Sequence, residues 1–182
     1  AGGVRGAVAD GKVAIVLTIE GQSMFNERVE QVRNWHRLGV RVFSITHGEG
    51  TEDTPDALQV SHSPFEHMPL SERAGLRDEL EGLTDFARES LKEMGRLGIA
   101  CDLAHVNDAA FWEVMECATG PVCVTHGNCA AVCPHTRNLT DEMMRALAQK
   151  GGVLGCCFYG PFVSREEPTL ERYVEHLLHA LE

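Results

Sequence analysis

Five short apolar runs in this 182-residue chain each end in a residue that can do chemistry. "KVAIVLTIE" ends at Glu20, "VRVFSITH" at His47, "IACDLAH" at His105, "PVCVTH" at His126 and "VLGCCFY" at Tyr159. A buried apolar strand gains no stability from finishing in a polar or ionisable group. In a parallel sheet all strand C-termini emerge on one side, and α/β barrels build their active sites there. One carboxylate and several imidazoles on neighbouring strand ends form a ligand set that zinc prefers. Glu20, His105 and His126 would leave an open position for water, whose pKa a bound zinc lowers to about 7.

Taken singly, each residue has a plainer reading. A lone strand-end histidine is more often packed or capped than a ligand; the recurrence in register carries the metal reading. Asp102, inside "IACDLAH", can face a helix N-terminus or pair with a neighbour within the sheet. "HGNCAAVCPH" offers a rival use of His126 with Cys129, Cys133 and His135, as a small structural zinc site. Its H-x2-C-x3-C-x-H spacing is irregular and lacks a second knuckle. His176 and His179, three apart without an HExxH pattern, read as a solvated or packed helix face. His62 and His67 read as solvent-exposed loop residues.

Helix-period segments separate the runs. Phe25, Val29, Val32, Trp35 and Leu38 recur at threes and fours, which predicts a helix over 26–38, ended by Gly39. Thr84 can cap the next, with Leu83, Ala87, Leu91, Met94 and Leu97 inward and Gly98 at its end. Asn107 or Asp108 caps a third, bearing Phe111, Val114, Met115 and Ala118, and Thr140 caps a fourth through Ala148, closed by Gly151 and Gly152. The last, about 168–181, puts Leu170, Val174, Leu177, Leu178 and Leu181 on one face. Residues 48–80, with Pro55, Pro64, Pro69 and many charges, read as a long surface loop.

Strand–helix alternation predicts an α/β fold with a parallel sheet. The expected architecture is a parallel (β/α) barrel of the TIM, metal-dependent hydrolase type. About five βα units are visible, whereas a closed barrel needs at least about 200 residues. Residues 1–182 are therefore expected to form one partial barrel domain with a long loop at about 48–80. Its open edges invite pairing, so a homo-oligomer is among the expected partners.

A net charge of −11 lacks the basic footprint of a nucleic-acid binder. The longest aliphatic run, "VAIVL", is far short of a membrane span, and "AGGVRGAVADGK" has no signal-peptide apolar region. Several of the seven cysteines (Cys101, Cys123, Cys156 and Cys157) sit inside the apolar runs as small hydrophobes, which suits a reducing cytoplasm.

With these motifs assembled, the chain resembles the renal (membrane) dipeptidase family of zinc peptidases. The resembling stretches are "IEGQ", "LGVRVFSITH", "GLTDFARESLKEMGRLGIACDLAHV" and "PVCVTHGNCAAVCPHTRNLTDEMMRALAQKGGVLGCCFY", in the family's order over most of 12–182. The resemblance implies an amidohydrolase-like barrel and two zinc ions, of which one or two are expected here. It implies that Glu20 bridges the metals and that His105 and His126 bind the second. It implies that His47 contacts the scissile carbonyl, that Arg137 holds the substrate carboxylate, and that Tyr159 lines the substrate pocket. The family's first-strand H-x-D motif does not occur in the chain, and "THGEGTEDTPDALQ" stands where the family carries an Asn- and Trp-containing loop. The expected activity is zinc-dependent hydrolysis of dipeptides with a free C-terminal carboxylate, with a dipeptide as partner. The alternatives are a non-catalytic or one-metal relative that binds an amino-acid-like ligand, and another amidohydrolase-type activity.

Overall fold

The computed structural model describes residues 2–21, 28–46 and 82–182. His47, His62, His67 and the expected loop at about 48–80 lie outside the described residues, as does the start of the expected helix over 26–38.

Five strands form one sheet: β1 (Leu17–Ile19), β2 (Val40–Ser44), β3 (Ala100–Asp102), β4 (Val122–Gly127) and β5 (Val153–Cys156). They lie in sequential order, and every neighbouring pair is parallel. A doubly wound sheet would reverse its order at a switch point; unbroken sequential order is that of a (β/α) barrel wall. This is the architecture the sequence predicts.

Helices Glu30–Arg37, Asp85–Leu97, Asp108–Cys117 and Asp141–Gln149 supply the crossovers. Their inward residues Val32, Leu91, Met94, Phe111, Val114, Met143 and Leu147 share one core with Val40, Phe43, Cys101, Val122 and Val124 of the strands. Helix starts follow the capping chemistry. Thr84 Oγ1 accepts from Ala87 N (3.1 Å), Asn107 Oδ1 from Ala110 N (2.8 Å) and Thr140 Oγ1 from Met143 N (3.3 Å). Each such cap stabilises by about 1 kcal/mol. Gly98 ends its helix at φ +70°, a conformation glycine adopts without steric cost.

Strands β2, β3 and β5 stop at Ser44, Asp102 and Cys156, short of the expected ends, and three further details depart from the sequence reading. A helix over Gly2–Ala9 precedes the sheet and has no apolar stripe to announce it. The first strand is three residues long, not nine, and Val13 and Ile15 upstream of it are 89% and 83% exposed. Among the described residues strand β1 pairs with β2 alone, through Leu17 and Val40, Thr18 and Val42, and Ile19 and Phe43. The last helix, Leu170–His179, buries His176 rather than its leucines. His176 Nδ1 accepts from Cys129 N (3.1 Å), so its Nε2–H donates to Val163 O (3.1 Å). Burial lowers the pKa of this imidazole and keeps it neutral. The polar anchor decides which face docks, and Leu170, Val174 and Leu178 stay exposed. Among the described residues, no helix is long and apolar enough to cross a membrane.

Candidate metal centre

Glu20 follows β1, His105 follows β3 by three residues, and His126 lies within β4. The three meet. His105 Nε2 is 3.1 Å from Glu20 Oε1 and 2.9 Å from His126 Nε2, and His126 Nε2 is 3.3 Å from Glu20 Oε1. One ligand atom from each lies within 4.8 Å of the others. The rings of His105 and His126 are edge to face, with centroids 4.9 Å apart. Three such ligand atoms turned toward one point can share a ring proton or surround a cation. One carboxylate and two imidazoles are donors that zinc accepts, so the residues present fit the ion the family implies.

Local backbone features aim these side chains. His105 has φ +70°, the one described non-glycine residue with positive φ. Left-handed backbone is costly for an L-residue and clusters at functional sites. It turns the chain sharply after β3 and points the imidazole inward. Between Val124 and Gly127 the register of β4 against β5 shifts, and a shift of this kind re-aims side chains. His126 sits in that interval. Gly155 of β5 lets the two strands approach, since a Cβ there would lie 2.2 Å from Thr125 O.

Asp102, 2% exposed, organises the floor of the site. Its Oδ1 accepts from Ala104 N (3.0 Å) and Thr125 N (2.8 Å). Its Oδ2 accepts from Ser44 Oγ (2.6 Å) and Thr125 Oγ1 (2.6 Å). The carboxylate thus ties β3 to both neighbours, which decides between the two sequence-level readings in favour of pairing within the sheet. Thr125 Oγ1 also lies 2.9 Å from His126 Nδ1. Thr125 escaped the sequence analysis; its position beside a strand-end histidine was the available signal, and a weak one.

Arg137 and His105 line one narrow cleft with Asp108, Thr136 and Asn138. The Arg137 guanidinium lies over the Phe162 ring, 5.0 Å from its centroid. Tyr159 packs edge-on against the same ring (4.8 Å) and is 58% exposed, so it does not join the Glu20–His105–His126 cluster. Phe162, which the sequence reading did not single out, therefore supports two of the expected substrate residues.

The rival cluster does not form. Cys129 Sγ donates to His176 O, Cys133 Sγ to Pro161 O, and His135 Nδ1 accepts from Arg137 N. All seven cysteines are free thiols. Burial pushes the Cys129 thiol up to about 12.

Comparison with known proteins gives the family. The model of the membrane dipeptidase family, peptidase family M19, matches residues 1–182. An uncharacterized dipeptidase of Schizosaccharomyces pombe is 29% identical over 175 residues, 94% of this chain and 39% of the relative. The dipeptidase tcpJ of Claviceps purpurea is 29% identical over 172 residues, 93% of this chain and 36% of that protein. The chain thus spans about two fifths of the length of these curated relatives. Among solved structures, a metallo peptidase from Rhodobacter sphaeroides, liganded with a phosphinate mimic of the dipeptide L-Ala-D-Ala, superposes with a TM-score of 0.76. It is 27% identical, and the match covers 98% of this chain and 49% of that one.

Proposed function

Because the chain belongs to the membrane dipeptidase family, peptidase family M19, we propose that this protein is a zinc-dependent dipeptidase acting on dipeptides with a free C-terminal carboxylate. The observation that supports the reading is the convergence of Glu20, His105 and His126 from three separate βα segments, just after β1, after β3 and within β4. The dipeptide mimic held by the Rhodobacter sphaeroides relative supports the substrate class.

When bound, zinc polarises the scissile carbonyl and readies a water for attack. The chain's own residues do the rest. Glu20 would hold the ion through its carboxylate, and His105 and His126 would hold it through imidazole lone pairs. His47 donates to the oxygen on which negative charge develops. Arg137 grips the substrate carboxylate through two parallel N–H donors, a geometry that a guanidinium fork matches and an ammonium does not. The Phe162 ring lies against it, 5.0 Å from Cζ to the ring centroid. Tyr159 forms an outer wall of the pocket.

Elemental analysis of buffer-exchanged protein, paired with hydrolysis of L-Ala-D-Ala and of its C-terminal amide, tests the reading. Retained zinc, and turnover of the acid but not the amide, is the expected result. Arg137→Ala should raise KM for the acid with little change in kcat. Protein that binds no zinc, or that cleaves acid and amide equally, overturns it.

A further inference from the structure

We propose that Asp102, acting through the Thr125 hydroxyl, is a positioning residue that fixes the tautomer in which His126 can bind a metal. The proposal rests on the metal reading of the site for its purpose, but not for its hydrogen-bond argument.

The argument is a count of protons. A threonine hydroxyl has one proton to donate. As a carboxylate, Asp102 can only accept, and its Oδ2 lies 2.6 Å from Thr125 Oγ1. The Thr125 proton is therefore committed to Asp102. Toward His126 Nδ1, at 2.9 Å, Thr125 Oγ1 can then act only as an acceptor. The ring proton of neutral His126 must sit on Nδ1, which leaves the lone pair on Nε2. Nε2 is the nitrogen facing Glu20 and His105. The hydrogen bond made by one ring nitrogen sets the state of the other, and such outer partners change metal affinity by about 10–100-fold.

Asp102 is itself locked against rotation. Its Oδ1 accepts from two backbone amides, Ala104 N and Thr125 N, which no side-chain rearrangement can turn into acceptors. Asp102→Asn must keep its carbonyl oxygen on those amides and place its NH2 against the Ser44 and Thr125 hydroxyls. The Thr125 hydroxyl then accepts from Asn and releases its proton toward His126. Nδ1 becomes the acceptor, the ring proton moves to Nε2, and the lone pair turns away from the metal position. A nearly isosteric substitution one residue removed from contact should invert the imidazole.

Long-range 1H–15N correlation spectra of metal-free protein at pH 8 read the tautomer directly, and chelator competition reads zinc affinity. The unsubstituted protein should show Nδ1–H at His126, and Asp102→Asn should show Nε2–H with zinc bound about 10–100-fold more weakly. Thr125→Ser should preserve both readouts and Thr125→Val should weaken zinc binding. Ser44→Ala, which removes a different donor to Asp102, should reduce stability and leave the tautomer unchanged. An Nε2–H tautomer in the unsubstituted protein, or Nδ1–H persisting in a folded Asp102→Asn, overturns the proposal. Unaltered zinc affinity in Asp102→Asn or Thr125→Val also overturns it. If Asp102→Asn does not fold, the Thr125 pair decides by the same readouts. Failure of the unsubstituted protein to bind zinc counts against the metal reading, and the tautomer spectra still decide the hydrogen-bond relay.

Discussion

Phe43, Ile45, Cys101 and Val124, in and beside strands β2 to β4, are at most 2% exposed, whereas Val13, Ile15, Val153 and Leu181 around β1 and β5 are at least 67% exposed. The centre of the sheet is a finished interior, and its flanks present apolar surface. Beside β5 a groove of about 470 Å³ runs between Met144, Leu147 and Leu154 on one wall and Leu177 and Leu181 on the other. The candidate metal centre straddles these two regimes. His105 and His126 come from the finished centre, while Glu20 follows a three-residue edge strand whose register shifts between Leu17 and Thr18. The imidazoles thus stand beside a packed core and the buried Asp102 carboxylate, whereas the Glu20 carboxylate stands at the end of an edge strand.

The contrast is tested most severely in the core. Phe43 is fully buried on β2 between the helices and its neighbouring strands. Phe43→Ala should cost about 3–5 kcal/mol, the usual loss for an aromatic cavity. Denaturant unfolding followed by circular dichroism measures it. A loss below about 1 kcal/mol would mean that the centre is not the rigid half of the molecule.

A smaller effect separates strain from ligation at His105. Both His105→Ala and His105→Gly remove the imidazole, so both should lose metal affinity alike. They differ in backbone, because at φ +70° glycine is relaxed and alanine is not. In metal-free protein the glycine variant should be more stable than the alanine variant by about 1 kcal/mol. Equal unfolding midpoints would mean that the backbone at 105 relaxes once the ring is gone, and that strain does not aim the ligand.

Much of this organisation was legible in the residues because it is local or periodic. Thr84, Asn107 and Thr140 announce helix starts through a side-chain oxygen three residues before the amide each one caps. βα alternation puts Glu20, His105 and His126 at or near the C-terminal ends of their strands, and the structure brings these three together. What escaped was set by partners distant in sequence. Asp102 reads as an oddity in an apolar run until Ser44 and Thr125, 58 and 23 residues away, arrive on either side. The last helix reads as a leucine face until His176 finds Cys129, 47 residues earlier. Phe162 acquires its role only when Arg137 lies across it. Polar groups satisfied by long-range partners carry no periodicity, so a pattern search passes over them.

The smallest expected effect probes the flank itself. Leu178 lies on the exposed face of the last helix, 58% accessible, while His176 two residues earlier carries the docking. If the flank is independent of the core, Leu178→Gln should change stability by no more than about 0.5 kcal/mol, as for other substitutions at open surface. His176→Leu on the same helix removes the acceptor for Cys129 N and the donor to Val163 O, and two buried backbone groups lose their partners. Each such loss costs about 1–3 kcal/mol, so the more hydrophobic substitution should be the more damaging one. Thermal melts of the two variants side by side decide between the accounts. A larger loss from Leu178→Gln would show that the leucine face is already packed in solution, and the division between finished centre and open flank would fail at β5.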